Sequence, residues 1–226
     1  MQPDHLTRNL PSVNGTSQIS VHLRFGTISI RYLVKMAIKW NEQWLNELIW
    51  REFFMMILYH YPHVVHNSFK KKYDQIEWRN NEQEFEAWCR GETGYPIVDA
   101  GMRQLNETGL MHNRVRMIVA SFLCKHLLID WRWGEAYFAR KLLDYELSSN
   151  NGNWQWASGS GCDSAPYFRI FNPTAQTLKF DPRLIYIKTW IKDFKVDYLM
   201  PIVQHEYARK RALDRYKIAL NEVPVK

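Results

Sequence analysis

Two tryptophans flank a pair of opposite charges in one strongly apolar segment. In a helix over residues 42–61, a turn of about 100° per residue places Trp44, Glu47, Trp50 and Arg51 within an arc of about 120°. Glu47 and Arg51 have the favourable i,i+4 order of an ordinary surface ion pair, which stabilises a helix only slightly. Tryptophans on both sides of the charges indicate instead the wall of a pocket. The sequence leaves both interpretations open.

A second polar group begins the helix predicted over residues 112–129. Asn113, Arg114 and Arg116 lie in its first turn, where cations oppose the helix macrodipole. This placement indicates an anionic partner such as a phosphate or a flavin, although solvated arginines would show the same pattern. The stretch 150–156 adds amides and two tryptophans. Neither segment alone identifies a reaction.

Three other patterns are weak indications of a metal, phosphate-binding or catalytic site. His60, His63 and His66 are evenly spaced, but Pro62 breaks the helix between them, and no cysteine or carboxylate completes a metal set. The segment 159–161 lacks the lysine of a phosphate loop and follows no strand. No nucleophile of the Ser–His–Asp or Cys–His kind has a recognisable context. We therefore predict no metal site.

Composition narrows the class of protein. The net charge of +7 and the pI near 9.3 favour a polyanionic partner, although a basic enzyme would also have them. The 10 Trp, 12 Tyr and 11 Phe are suited to stacking on planar ligands. Cys89, Cys124 and Cys162 are isolated, so we expect a reducing, cytoplasmic setting. The longest apolar run, 53–59, is too short to span a membrane, and we expect no signal peptide.

The elements that must position these residues are helices. At 226 residues the chain fits one domain, 1–226, which we predict to be all-α. Apolar periodicity, caps and breakers predict helices over 17–25, 29–39, 42–61, 82–90, 98–108, 112–129, 134–147, 183–194 and 205–220. Thr16 and Ser29 are plausible N-caps. The crowding of Asn, Gly and Pro over 148–172 predicts a long functional loop, and 63–81 is predicted to be a basic loop.

Six motifs occur in order along the chain. They are WLNELIWREF (44–53), TGYPIVDAGMRQL (93–105), MHNRVRM (111–117), LLIDWRWGE (127–135), SSNNGNWQW (148–156) and APYFRIFNPTAQ (165–176). Together they resemble the photolyase and cryptochrome family, and within it the class I cyclobutane pyrimidine dimer photolyases. The resemblance extends from about residue 16 to 217 and implies the helical FAD-binding domain of that family.

The resemblance implies a U-shaped FAD and the residues that line it. The segment Thr16, Ser17, Gln18, Ile19 and Ser20 matches the family's phosphate-binding segment, where helix N-terminal amides suit a pyrophosphate. The other implied FAD-lining positions are Trp44, Glu47, Arg51, Asn113, Arg116, Asp144, Glu146 and Asn150. The family counterpart of Asn150 lies beside the reactive flavin nitrogen, where an amide oxygen accepts a hydrogen bond from the N–H of a reduced flavin. Some cryptochromes have Asp or Cys there, so Asn favours repair.

The implied activity is light-driven repair of UV-damaged DNA. In the family, excited reduced anionic FAD passes an electron to a flipped-out pyrimidine dimer, the dimer splits and the electron returns. Glu47 and Asn113 would hydrogen-bond the polar edges of the dimer, and Trp50, Trp156 and Met117 would form apolar walls. Family members that repair the six-four photoproduct have His in place of Met117, so the cyclobutane dimer is the expected lesion.

The resemblance also assigns roles outside the lesion pocket. Trp78, Trp131 and Trp154 match the tryptophan relay that reduces the resting flavin, although each could serve in packing alone. Arg114 and Gln176 would hold the DNA backbone, with Trp50 and Trp156 as further DNA contacts. We expect a monomer.

The chain departs from the family pattern at several positions. The α/β domain that holds a light-harvesting pigment in the family is absent from this sequence, so no antenna pigment is expected on this chain. Asp4 stands where relatives often have a phosphate-contacting Tyr, Glu146 replaces an Asp, and Leu110 replaces an aromatic residue. Two alternatives therefore stay open. One is a cryptochrome-like flavin photoreceptor without repair, and the other is an inactive truncated DNA-binding fragment.

Overall fold

Helices account for the regular structure of the computed structural model, which describes residues 7–195 and 198–221. The α-helices are α1 Ser20–Phe25, α2 Ile30–Trp40, α3 Glu42–His60, α4 Glu82–Arg90, α5 Pro96–Thr108, α6 Asn113–Ser121, α7 Trp131–Lys141, α8 Leu147–Ser158, α9 Pro173–Phe180, α10 Ile185–Trp190 and α11 His205–Asn221. Two 3-10 helices, Pro62–Val65 and Lys71–Gln75, and a π-helix, Phe122–His126, complete them. No strand occurs in these ranges, and the all-α prediction is confirmed.

Short polar side chains begin several of these helices. Ser29, Asn41, Asn81 and Asn172 each accept a hydrogen bond from a backbone N–H of the first turn that follows, which satisfies a donor that the helix itself leaves unpaired. The predicted N-cap at Ser29 is confirmed. The one at Thr16 is wrong, because α1 begins at Ser20, after Ile19.

The core is centred on α5. This helix contacts α4, α6, α9 and α10, and its side chains at Ile97, Val98, Met102 and Leu105 are completely buried. Gly101 allows α6 to approach closely, since a Cβ there would lie 2.4 Å from Cγ1 of Val115. This packing buries the apolar faces that the periodicity identified. Helices α3 and α8 pack against each other beside this core.

The prediction of a loop over 148–172 is wrong for its first part, which is α8. Glu146 caps α8 by accepting bonds from the backbone N–H groups of Ser148 and Ser149, both at 2.9 Å. Asn151 and Gln155 donate to the carbonyl oxygen of Val64 at 3.0 and 2.9 Å. The helix therefore has buried amides rather than an apolar stripe, and a hydrophobic period could not reveal it.

The single helix predicted over 112–129 is also wrong, because α6 ends at Ser121 and one π-helical stretch follows. That stretch buries Lys125, whose Nζ donates to the carbonyl oxygen of Ser158 at 2.8 Å and lies 3.6 Å from the ring centroid of Tyr216. The Tyr216 hydroxyl donates to the same carbonyl at 2.8 Å. Burial lowers the pKa of Lys125 to about 7. The π-helix thus joins α11 to the end of α8.

His126, the next residue, forms a second contact with α11. Its Nε2 lies 2.8 Å from Nδ1 of His205, and its carbonyl oxygen accepts from Arg211 at 2.5 Å. The ring is fully buried. Burial first, and then the neighbouring His205 and Arg211, lower the pKa of His126 to about 3. The docking of α11 therefore depends on a neutral imidazole.

We predict that acid weakens the fold through His126. An unfolded histidine has a pKa of about 6.5, so as the pH falls the unfolded chain binds the proton first. The free energy of unfolding should therefore decrease below about pH 6.5 by up to about 1.4 kcal/mol per pH unit, and continue to do so toward the folded pKa of about 3. Urea unfolding across this range measures the slope.

The variant His126→Gln should lose this part of the slope, because glutamine does not titrate. The matched control is His66→Gln, which changes an exposed histidine. A slope that is the same in wild type and His126→Gln between about pH 6.5 and about pH 5 would contradict the prediction.

Candidate functional site: two adjoining cavities

Two adjoining cavities open between α1, α3, α6 and α8. The larger has a volume of about 410 Å³ and the smaller about 110 Å³. Both are lined by Asn113, Arg116, Asp144, Glu146 and Ser149, which form the seam between them. The larger volume lies in the range of small-molecule and cofactor sites.

The wall formed by α3 confirms the pocket interpretation for three of the four residues that the sequence grouped. Trp44, Glu47 and Arg51 line the larger cavity, because Leu48 packs against Leu33 and Ala37 and sets the rotation of the helix. Glu47 pairs with a residue distant in sequence, Arg8, at 2.6 Å. Trp50 is 42% exposed, and its ring lies 5.3 Å from that of Phe53, beside the cavity rather than in its wall.

The predicted phosphate-binding segment, residues 16–20, lines the larger cavity along its whole length. Gln18 has a left-handed backbone with φ of +52°, and Ile19 follows with φ of −89° and ψ of 0°. A left-handed residue followed by a right-handed one turns successive N–H groups toward a common point, which forms an anion-binding nest. No side chain caps α1 at Ile19, so these N–H groups remain suited to an anionic ligand.

The rim of the larger cavity is basic. Arg8 and Arg169 lie near enough to Arg114 to lower its pKa, after burial, which is the larger cause. The Arg114 guanidinium lies 4.4 Å from the ring centroid of Phe180. Its Nε is buried without a hydrogen-bond partner among the described residues. A buried arginine nitrogen without a partner is suited to donating a hydrogen bond to a bound anion.

Acidic side chains at the seam are already engaged. Asp144 accepts from Arg116 at 2.9 and 3.1 Å, and Arg116 also donates to the carbonyl oxygen of Met111 at 2.8 Å. Burial acts to raise the pKa of Glu146, but the hydrogen bonds from Ser148 and Ser149 outweigh it and lower that pKa. Both carboxylates therefore hold protein groups in place, and Glu146 serves as the cap of α8 at this position.

The smaller cavity contains the residues predicted to act at the reactive end of the site. Met117, Asn150 and Trp156 line it, together with Trp154, which the resemblance assigns to the electron relay. The Nδ2 of Asn150 donates to Oε1 of Glu135 at 2.8 Å and to its carbonyl oxygen at 3.1 Å. These bonds use the donor side of the amide, and Oδ1 is the atom left to accept a hydrogen bond from a ligand in the cavity.

The three tryptophans predicted to form an electron relay differ in solvent exposure. Trp154 lines the smaller cavity and is 2% exposed. Trp131 is 1% exposed in the same core cluster. Trp78 is half-buried and packs against that cluster, with its ring 6.1 Å from that of Tyr216. Trp154 lies at the cavity and Trp78 is the most exposed of the three, and their role as an electron relay stays a prediction.

Gln176 and Leu110 lie outside the cavity walls. Gln176 is half-buried on α9, the helix that ends at the Phe180 ring under Arg114. Leu110 is 36% exposed. Asp4 lies outside the described residues. Within the described ranges, no three His, Cys, Asp or Glu side chains are placed to hold a metal ion, and no helix has the length and hydropathy of a membrane span.

Sequence reasoning missed several residues of the site. Arg8, Asn9, His112 and Ser149 line the larger cavity, and Glu135 orients Asn150. Arg8 and Asn9 come from a segment of turns with no period, so no local signal marks them. Glu135 lies on a different helix from Asn150, and only the packing of α7 against α8 brings the two together.

This combination of an all-helical fold, a phosphate-type nest and a cavity between helices is found in known proteins. Residues 44–196 match the family model described as the FAD binding domain of DNA photolyase. The deoxyribodipyrimidine photo-lyase of Escherichia coli K12 is 44% identical over 94% of this chain and 51% of its own length.

Solved structures of photolyases and cryptochromes have the same fold as this chain. The chain superposes on an archaeal photolyase from Sulfolobus tokodaii, which was solved with two FAD molecules, with a TM-score of 0.90 and 44% identity, covering 96% of this chain and 54% of the other. It also superposes on a cryptochrome from Synechocystis sp. PCC6803 with a TM-score of 0.83 and 32% identity, covering 92% and 50%.

The chain therefore belongs to the family of FAD-binding domains of DNA photolyases. It spans about half the length of the curated relatives that it matches.

We predict that Glu135 stabilises the orientation of Asn150. Glu135→Ala should lower the free energy of unfolding by about 1 to 3 kcal/mol, because the nearly buried amide of Asn150 loses a partner. Urea unfolding of Glu135→Ala, Asn150→Ala and the double variant measures the coupling. The conservative variant Glu135→Gln retains an acceptor and should lose less. If the two single effects simply add, the proposed contact is energetically irrelevant.

Proposed function

We propose that this chain holds FAD across the two cavities and uses it, in blue light, to split cyclobutane pyrimidine dimers in DNA bound at the basic rim. The observation that carries the proposal is that the predicted FAD-lining residues converge, although they come from distant parts of the sequence. All of them line the larger cavity except Asn150, which lines the smaller one. This function rests on family membership together with that geometry.

The residues present fit the cofactor. The nest at residues 16–20 provides N–H donors for a pyrophosphate, and Arg51 on α3 adds a cation to the lining of the same cavity. The Trp44 indole provides an apolar surface beside them. Arg116 and Asp144, held to each other, keep the seam between the cavities polar and fixed. Asn150 provides an acceptor at the inner end.

Bound FAD, in its reduced anionic form, would supply the excited electron that is lent to the dimer and returned after two carbon–carbon bonds break, with no net oxidant needed. The protein would supply placement. Asn150 Oδ1 would accept a hydrogen bond at the inner end of the site, and Glu47 would accept a hydrogen bond from the polar edge of a pyrimidine. Met117 and Trp156 would exclude water from the dimer face.

The residues that line the two cavities and the basic rim also account for the choice of lesion and for the contact with DNA. Met117 and Trp156 line the smaller cavity with apolar surface, which suits the two saturated rings of a cyclobutane dimer. Asn113 lines both cavities and would bond to the pyrimidine edge. Arg114, beneath which the Phe180 ring lies, would contact a phosphate, with Gln176 on the same side. Trp78, Trp131 and Trp154 would carry electrons inward.

The decisive test is repair by the reconstituted chain. The protein is loaded with FAD, reduced, mixed with an oligonucleotide that contains one thymine dimer, and illuminated. We expect light-dependent recovery of intact thymines and none in the dark. Flavin binding and photoreduction without repair would indicate a cryptochrome-like photoreceptor. A protein that stays colourless with FAD would overturn the cofactor assignment itself.

A second prediction concerns Trp50. Base stacking on an aromatic side chain is worth about 1 to 3 kcal/mol, so Trp50→Ala should weaken binding of the dimer-containing duplex by about tenfold while FAD absorbance is unchanged. Trp40→Ala is the matched control, because Trp40 is also exposed but lies at the end of α2. Equal affinities for the wild type and Trp50→Ala would remove this residue from the DNA contact.

A further inference from the structure

Arg8, Asn9 and Gly15 of the segment 7–15 line the larger cavity. Arg8 and Asn9 contact two of the groups that the proposed function assigns to DNA. Arg8 Nη2 lies 2.6 Å from Oε1 of Glu47. Asn9 Oδ1 accepts from Nη2 of Arg114, also at 2.6 Å. Neighbouring side chains of one short segment thus engage the predicted lesion-binding carboxylate and the predicted phosphate-binding arginine.

The chemistry of these contacts resembles that of the expected substrate. The guanidinium of Arg8 donates to Glu47, as the N–H of a pyrimidine edge would. The amide oxygen of Asn9 accepts from Arg114, as a phosphate oxygen would. Each contact therefore engages a group that the proposed function assigns to DNA, Glu47 to the lesion and Arg114 to a phosphate.

The contacts are of a kind that exchanges readily. The Arg8 and Glu47 side chains are 26% and 45% exposed, and partly exposed ion pairs contribute little free energy. The backbone hydrogen bonds from Leu10 to Thr7, from Val13 to Leu10 and from Gly15 to Val13 stay within the segment. Release of the two side chains therefore leaves the helices and their hydrogen bonds intact.

We propose that Arg8 and Asn9 form a latch that holds Glu47 and Arg114 in the absence of DNA and gives both up to a damaged duplex. The inference rests on the proposed function. Arg114 passes from Asn9 to a phosphate on any DNA. The contact between Glu47 and Arg8 breaks only when a lesion binds to Glu47. Arg8 lies beside Arg114 on the same rim, and once released it contacts a second phosphate.

The first test uses Asn9→Ala, which removes the acceptor for Arg114 without changing the charge. Binding of FAD-loaded protein to undamaged and to dimer-containing duplexes is measured by fluorescence anisotropy in the dark. Both affinities should rise about two- to fivefold, the range expected when a partly exposed contact no longer has to be broken. Val13→Ala, an exposed change in the same segment, should leave both affinities at the wild-type level. Weaker binding by Asn9→Ala would mean that Asn9 serves DNA directly.

The second test uses salt. Because Arg8 is released only by a lesion, the slope of log Kd against log salt should be steeper for the damaged duplex by about 0.9, the value of one neutralised phosphate. In Arg8→Gln the two slopes should be equal. Arg31→Gln removes one positive charge from α2 instead and should keep the difference. Equal slopes in wild type, or a difference that persists in Arg8→Gln, would overturn the latch.

The two proposals fail separately. If wild type does not prefer the damaged duplex and does not repair it, the proposed function fails. If wild type prefers and repairs the damaged duplex but Asn9→Ala and Arg8→Gln behave as the wild type, the function stands and the latch does not exist.

Discussion

The site depends on the burial of a polar helix. Helix α8 carries amide side chains into the interior, and each must find a partner, because an unpaired buried amide is costly. The amide of Asn150 donates a hydrogen bond to Glu135, while those of Asn151 and Gln155 donate to the carbonyl oxygen of Val64. These partners fix the rotation of α8, and with it the positions of Asn150, Trp154 and Trp156 around the smaller cavity.

Charge placement keeps the larger cavity open to an anion. Its carboxylates are held by protein groups: Asp144 by Arg116, Glu146 by the first turn of α8, and Glu47 by Arg8. The nest near Gln18 and the Arg114 guanidinium keep donors directed toward the ligand space. The result is a polar cavity with an excess of donors, bordered by a basic rim. This electrostatic asymmetry suits both a dinucleotide and a polyanion.

Much of this arrangement could be predicted from local pattern. Helix α4 begins and ends where its caps and periodicity placed it. The spacing of Trp44, Glu47 and Arg51 predicted that they share one helix face, and a pocket wall was one of the two interpretations that it left open. The family motifs supplied the set of residues predicted to line FAD, and its members converge on the two cavities. The prediction failed where a residue's partner lies far away in the chain. Neither α8 nor the π-helix at Phe122–His126 has an apolar period, and neither Arg8 nor Glu135 is marked by its neighbours.

The sequence by itself determined the helical class, the basic character and the family, because these depend on composition, short-range spacing and ordered motifs. The tertiary structure decided that the amide-rich stretch after Glu146 is a helix, that the Nδ2 of Asn150 is bonded to Glu135, and that Arg8 and Asn9 line the larger cavity. The physical reason is the range of the interactions. Caps and apolar periods act within a few residues, whereas a buried amide or a carboxylate at a cavity is stabilised by groups that only the folded chain brings near.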